Sequence, residues 1–137
     1  MAYLLFLEQS GAMADKIREL DGGKFSHVAL ILPGGREVID STPTGGAAKA
    51  SLFQRMKESE SAAVRLLNME YMKDPIKLLG IPYDDAWAKG KIATPPIKLH
   101  CATLIGHIFG IAGPRHPDLS LSEIYALTQA AHQSIDV

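Results

Sequence analysis

Apolar runs of strand length, separated by glycine and proline, dominate the first half of the chain. Such continuous runs are typical of strands buried in a sheet. A helix with one buried face instead has apolar residues three or four positions apart. The turn residues Pro33-Gly34-Gly35-Arg36 indicate a hairpin. The pattern predicts four strands, over Tyr3 to Leu7, Ser26 to Leu32, Glu37 to Ser41 and Ala63 to Leu67.

Helical spacing and capping signals predict five helices between and after these strands. Two of them begin with a capping box, in which a serine hydroxyl and a Gln or Glu three residues later satisfy backbone donors reciprocally. In one further candidate, Pro75 either breaks the helix or sits in its first turn. The helices are Ala12 to Leu20, Ser51 to about Glu58, Tyr71 to Leu79, His100 to Ile111 and Ser120 to about His132. The stretches 42–50 and 80–96 are predicted to be loops.

This order of elements, strand-rich first and helical last, is typical of the α+β class. The chain has 137 residues, which fits a single domain with one core, and we assign residues 1–137 to it. No repeat, linker or low-complexity tract divides the sequence.

Composition and charge exclude several functional classes. Apolar residues make up 47% of the chain, charged residues 21%, and the net charge is -1, so no basic excess points to nucleic acid. No apolar run reaches the roughly 20 residues that a membrane helix needs. Because the N-terminus lacks the basic start and apolar core of a signal peptide, we expect a cytoplasmic protein or one exported without a cleavable signal.

The single cysteine, Cys101, opens the most apolar of the predicted helices. A lone thiol forms no internal disulfide, and in a small domain it is usually a buried hydrophobic residue. A helix N-terminus, however, supplies free N–H groups and a partial positive charge, which stabilise a thiolate and a developing oxyanion. Cys101 is therefore a candidate nucleophile.

His27 interrupts an apolar strand, where it is either hydrogen-bonded structurally or part of a site. If the hairpin turns at Gly34-Gly35 in a two-residue loop, Ala29 faces Asp40, and His27 and Asp40 lie diagonally on the same sheet face. Asp40 is then predicted to orient the imidazole, while Glu37 points to the other face. A one-residue bulge at the turn would select Glu37 instead. Cys101, His27 and an acid match the nucleophile, base and orienting group of a catalytic triad.

Three segments, read in order, also carry a family resemblance. They are the hairpin Phe25 to Ser41, the Pro-Tyr loop Gly80 to Asp84 and the Cys-bearing helix that begins His100-Cys101-Ala102-Thr103. In this order they resemble the circularly permuted NlpC-type papain-like cysteine peptidases and amidases, of the YiiX and YaeF type. The resemblance extends more distantly to lecithin retinol acyltransferase-like proteins. It covers nearly the whole chain, although the helix here lacks the family's Cys-Ser-Glu start.

The resemblance implies a permuted papain-like fold, with an antiparallel, barrel-like sheet packed against the Cys helix. It implies Cys101 as nucleophile, His27 as base and Asp40 as third polar residue, and it makes Tyr83 a candidate to stabilise the oxyanion. No cofactor is expected. The implied activity is hydrolysis of an amide or ester, with peptides, cell-wall stem peptides or lipid acyl groups as substrates. The alternatives are a non-catalytic binding domain on the same fold and a lipid acyltransferase.

Four other residues bear on alternative chemistry. His100, His107 and His116 could join Cys101 around a metal ion, but no HxxxH or HExxH pair occurs, so no metal site is predicted. Trp87 lies in the Pro-Tyr loop region, where packing against the core is the favoured interpretation.

Overall fold

A computed structural model describes residues 1–82, 101–111 and 120–131 of the chain. In these residues, an antiparallel sheet with the order β4-β3-β2-β1-β5-β6 packs against helices, so the predicted α+β class is confirmed. The strands are β1 (Ala2–Glu8), β2 (His27–Ile31), β3 (Glu37–Thr42), β4 (Gly46–Ser51), β5 (Ser61–Leu67) and β6 (Gln129–Ala130). The helices are α1 (Ala12–Asp21), α2 (Leu52–Lys57), α3 (Cys101–Phe109) and α4 (Leu121–Ala126), with a 3₁₀ helix at Pro75–Leu78.

Apolar side chains are buried on both faces of the central strands β1 and β2. On one face, Leu4, Phe6, Val28 and Leu30 pack with the apolar residues of α3 and α4. On the other, Leu5, Leu7, Ala29 and Val38 are fully buried, and the half-buried Leu52 of α2 packs against them. Because both faces are covered, these strands read as continuous apolar runs, and this is why the sequence pattern locates them.

The β2–β3 hairpin has the predicted register but a wider turn. Leu30 pairs with Ile39 and Ile31 with Val38, as a turn centred on Gly34-Gly35 requires. The two-residue loop assumed for that register does not form, because the backbone N–H of Gly35 donates to the Leu32 carbonyl at 3.0 Å, which closes a β-turn one residue earlier. Pro at the second position and Gly34 at the third, with φ of 98°, are typical of a type II turn. The four residues 33–36 therefore connect the strands without changing which residues face each other.

The segment predicted as a loop over residues 42–50 contains strand β4. It pairs with β3 from Glu37↔Ser51 to Thr42↔Gly46. Glycine and alanine have low strand propensity, so the sequence pattern does not reveal the strand. Their small size serves a close approach instead: the N–H of Ala47 donates to the Ile81 carbonyl at 2.9 Å, and a Cβ on Gly46 would lie 2.6 Å from the same oxygen.

The predicted helix over Tyr71 to Leu79 is wrong, because only the 3₁₀ turn Pro75–Leu78 forms. Asp74 Oδ1 accepts from the N–H of Ile76 at 3.0 Å and thereby starts this turn. The preceding backbone donors, Met72 and Lys73, both bond to the carbonyl of Ile108 at the end of α3, at 2.7 and 3.1 Å. These backbone N–H groups therefore form a tertiary contact with α3 and are not available for the hydrogen bonds of a helix.

The last predicted helix begins as expected but ends early. Ser120 and Glu123 form both hydrogen bonds of the capping box, yet α4 ends at Ala126 rather than near His132. Arg65 on β5 donates to the hydroxyl of Thr128 at 2.9 Å and to its carbonyl at 3.0 Å. These bonds hold the chain in place to pair with β5 as β6. His132 itself lies outside the described residues.

Helix α3 follows the prediction closely and carries the single cysteine as its first residue. All of its residues except His107 are buried, which explains its strong apolar character. Gly110, with φ of 69°, ends the helix, and the N–H of Ile111 returns to the Gly106 carbonyl at 2.9 Å. This is a glycine-dependent helix end that a side chain at Gly110 would strain.

Candidate active site

His27 occupies the first position of β2, at the point where the sheet opens between two strands. On one side it pairs with Leu7 of β1. On the other side the β2–β3 ladder contains only the pairs Leu30↔Ile39 and Ile31↔Val38, whereas β3 continues to Thr42 alongside β4. The imidazole of His27, whose side chain is 7% exposed, therefore lies where β2 and β3 are no longer joined.

Asp40 lies on β3 with its carboxylate fully buried, and it contacts His27 directly. The distance from His27 Nε2 to Asp40 Oδ2 is 2.8 Å. This is the diagonal placement that the register predicts, because residues facing each other share a sheet face. Glu37, which a bulge would have brought to His27, is exposed at the start of β3.

Cys101 completes a hydrogen-bonded chain of three side chains. Cys101 is buried, at 3% exposure for the whole residue, and its thiol forms no disulfide and is hydrogen-bonded to the His27 side chain. Because Asp40 occupies Nε2, Nδ1 is the imidazole nitrogen left for the thiol. The first turn of α3 holds no acidic residue, so nothing there opposes the helix dipole that favours a thiolate.

The electrostatics of His27 and Asp40 favour a protonated imidazole beside a carboxylate anion. Burial disfavours the charged ring, but hydrogen bonds and charge attraction from Asp40 and Cys101 outweigh it and raise the pKa of His27 to about 9. Burial also opposes the charge of Asp40, yet its bonds to His27 and Arg55 hold the pKa of this carboxyl below its usual range. Asp40 is therefore an anion throughout the neutral range.

Arg55 is the site residue that sequence reasoning missed. Its Nε donates to Asp40 Oδ2 at 2.7 Å, and its Nη2 donates to Oδ1 at 3.2 Å, so the guanidinium binds both carboxylate oxygens. The signal that could have found it is the buried Asp40 itself, since a buried carboxylate needs a permanent cation. Position alone does not single out Arg55 among the 14 Lys and Arg residues of the chain.

A cavity of about 270 Å³ borders His27. Every lining side chain other than His27 is uncharged, and most are small, including Ser10, Gly11, Ala12 and Pro43. Two other cavities in the described part of the chain, of about 350 and 390 Å³, are lined by none of Cys101, His27, Asp40 or Arg55. Of these three cavities, the one beside His27 is the candidate substrate cavity, with His27 as the member of the site that lines it.

Several residues considered from the sequence lie outside the described residues. Tyr83, the candidate oxyanion residue, is one, and Trp87, His100 and His116 are others. In the described part of the chain, no group of three or more His, Cys, Asp or Glu side chains could hold a metal ion.

Comparisons with known proteins add no assignment. No protein-family model matches the chain. No curated protein shows significant similarity to it. Across the three described ranges, no helix has the length and apolar character needed to cross a membrane.

Proposed function

We propose that the protein is a thiol hydrolase that cleaves an amide, peptide or ester bond with Cys101 as nucleophile. The observation that carries the proposal is the hydrogen-bonded chain from Cys101 through His27 to Asp40. The resemblance to permuted papain-like cysteine peptidases supports it, since those enzymes also place the histidine strand before the cysteine helix. In this proposal the sheet and α3 constitute a permuted papain-like fold.

In the proposed reaction, the Cys101 thiolate attacks the carbonyl carbon, and a bond forms between Sγ and that carbon. His27 gives its proton to the departing amine or alcohol as the original bond breaks, which leaves a thioester. His27 then takes a proton from water, the hydroxide attacks the thioester, and the C–S bond breaks to release an acid. The free N–H groups at the start of α3 are candidates to stabilise the oxyanion.

The electrostatic state of the site supports these roles. With a pKa of about 9, the imidazole of His27 is protonated at neutral pH and ready to protonate the leaving group. Asp40 stabilises this cation and binds its Nε2, which leaves Nδ1 for the thiol. The reaction balances with water alone, so it requires no cofactor.

The cavity beside His27 supports a neutral group as the part of the substrate next to the scissile bond. Its small, uncharged lining suits amide-containing segments with small side chains. Peptides, including those derived from cell walls, have this chemistry and are the substrate class we propose to screen first.

The test is the rate of iodoacetamide alkylation of Cys101 as a function of pH, in the wild type and in His27→Ala. Iodoacetamide is a small thiol reagent, and every adduct reports on Cys101 because the chain has no second cysteine. We expect the wild-type midpoint to lie well below the free-thiol value of roughly 8.5, and the substitution to move it back up.

The matched control is His107→Gln, which changes a histidine on the same helix but away from its N-terminus. It should leave the midpoint of alkylation unchanged. A normal thiol midpoint in both the wild type and His27→Ala would refute the proposed chemistry and favour a non-catalytic binding domain.

Acyl transfer from a lipid is a second candidate, favoured by two exposed apolar side chains on α2. Phe53 is 72% exposed and Met56 is 41% exposed, and they flank Arg55, which reaches Asp40. Such a patch suits a lipid surface. Transfer requires an acceptor amine or hydroxyl to resolve the thioester, so release of free acid at the same rate with and without an acceptor would exclude it.

A further inference from the structure

We propose that Arg55 is a positioning residue of the site, whose guanidinium clamps the Asp40 carboxylate and so fixes the direction of the His27 imidazole. This inference rests on the proposed thiol chemistry for its effect on activity. The clamp itself consists of the contacts among Arg55, Asp40 and His27. These contacts do not depend on the thiol chemistry, and they are tested separately from it.

The geometry of the clamp is that of a two-point contact. Asp40 Oδ2 accepts from both His27 Nε2 at 2.8 Å and Arg55 Nε at 2.7 Å, while Oδ1 accepts from Arg55 Nη2 at 3.2 Å. A planar guanidinium that holds both oxygens fixes the plane of the carboxylate, which a single point charge would not do. The plane of the carboxylate in turn sets the direction of the Oδ2 lone pair that accepts the hydrogen bond from His27 Nε2.

Charge compensation explains why a second cation is needed beside His27. The imidazole gains and loses its proton during the proposed cycle, so it leaves Asp40 uncompensated whenever it is neutral. A fully buried carboxylate without a counter-charge is strongly unfavourable. The arginine side chain is always protonated and therefore keeps Asp40 paired at every step.

Helix α2 carries Arg55 and is held by local hydrogen bonds at both of its ends. The hydroxyl of Ser51 caps the N–H of Gln54 at 3.2 Å, and the hydroxyl of Ser59 donates to the carbonyl of Arg55 at 2.8 Å. None of the six residues of α2 is buried, and the Arg55 side chain is 20% exposed. The helix therefore contributes little core, and its main link to the site is Arg55.

The described groups that govern the titration of this cluster come from four elements. They are His27 from β2, Asp40 from β3, Arg55 from α2 with Glu58 at the end of that helix, and Cys101 from α3. Strand β4 contributes no charge there, because Ala48 faces Asp40.

The experiment compares wild type, Arg55→Gln and Arg55→Lys, with Arg36→Gln as matched control. Arg36 is an exposed arginine in the hairpin turn, so its variant removes the same charge away from Asp40. Two readouts are taken: the pH midpoint of iodoacetamide alkylation, and the ¹H NMR signal of the His27 Nε2–H that donates to Asp40. Circular dichroism verifies folding, and if Arg55→Gln does not fold, the comparison rests on Arg55→Lys.

We expect Arg55→Gln to raise the alkylation midpoint by about one pH unit or more and to abolish the His27 N–H signal. In Arg55→Lys, the alkylation midpoint and the N–H signal should return only part of the way to the wild-type values. Lysine keeps the positive charge but cannot bind both oxygens of Asp40 as the planar guanidinium does. Arg36→Gln should match the wild type.

Two results would overturn the clamp. One is an unchanged midpoint and an unchanged N–H signal in folded Arg55→Gln, and the other is an Arg55→Lys variant identical to wild type. If the wild-type thiol titrates as a free one, the proposed function fails. The N–H signal then decides the clamp alone, with its loss in Arg55→Gln supporting it and its persistence refuting it.

Discussion

Replacing the buried carboxylate by an isosteric amide, Asp40→Asn, tests the electrostatic description of the site. The change removes the anion that pairs with both His27 and Arg55 and leaves these cations without a counter-charge. Removal of one partner from a buried ion pair costs about 3–5 kcal/mol. Because the Arg55 side chain keeps 20% exposure, water restores part of its solvation, and we expect about 3 kcal/mol at pH 7.

The assay is equilibrium urea unfolding, with the loss calculated from the shift in midpoint at constant m-value. The pKa of Asp40 is lower in the folded protein than in the unfolded chain. Its contribution is therefore present above about pH 4 and is lost as the pH falls through the folded-state pKa. The difference between wild type and Asp40→Asn should accordingly shrink in acid.

The control is Asp15→Asn on α1, whose carboxylate is 70% exposed and pairs with Arg18. An exposed pair of this kind contributes under about 1 kcal/mol. A loss below about 1 kcal/mol for Asp40→Asn at pH 7, or a loss that does not diminish in acid, would refute the description of Asp40 as a buried, doubly paired anion.

Two further predictions concern the histidine and the β4 strand. The His27 ring, followed by NMR, should titrate near pH 9 in the wild type and lower in Cys101→Ala, because the thiol contributes to the raised pKa; a wild-type midpoint near 6.5 would contradict this. Gly46→Ala should destabilise the protein by about 2 kcal/mol or more in thermal or urea unfolding, since it combines a left-handed φ of 62° with a clash against the Ile81 carbonyl. Gly35→Ala, with a φ of 71° and no neighbour within 4 Å, is the matched control for strain alone and should cost less.

The part of the fold that the sequence predicts is the part that the hydrophobic pattern determines. Strands β1, β2, β3 and β5 are found because long apolar side chains fill both faces of the central sheet. Strand β4 is missed because one glycine and three alanines give it low strand propensity, and because Gly46 and Ala47 lie against Ile81 in a contact that no local pattern reveals.

The candidate site divides in the same way. The contact of His27 with Asp40 follows from strand alternation and hairpin register, both of which are local in sequence. The contact of Arg55 with Asp40 depends on how a short polar helix lies over the sheet, and α2 has no buried residue to predict that orientation. The catalytic role of these residues stays a prediction until the thiol is measured.

The spacing of the site along the chain has a consequence for how the protein matures. His27 and Asp40 are 13 residues apart, and Asp40 and Arg55 are 15 residues apart. The contacts of Asp40 with these two cations therefore close only short loops of chain. The thiol comes from α3, which follows strands β1 to β5 in the chain. Because long loops close later than short ones, we expect the nucleophile to be the last member to reach its place. A nascent or partly folded chain would then carry an ordinary, unactivated thiol, and its reactivity would appear only once α3 has docked.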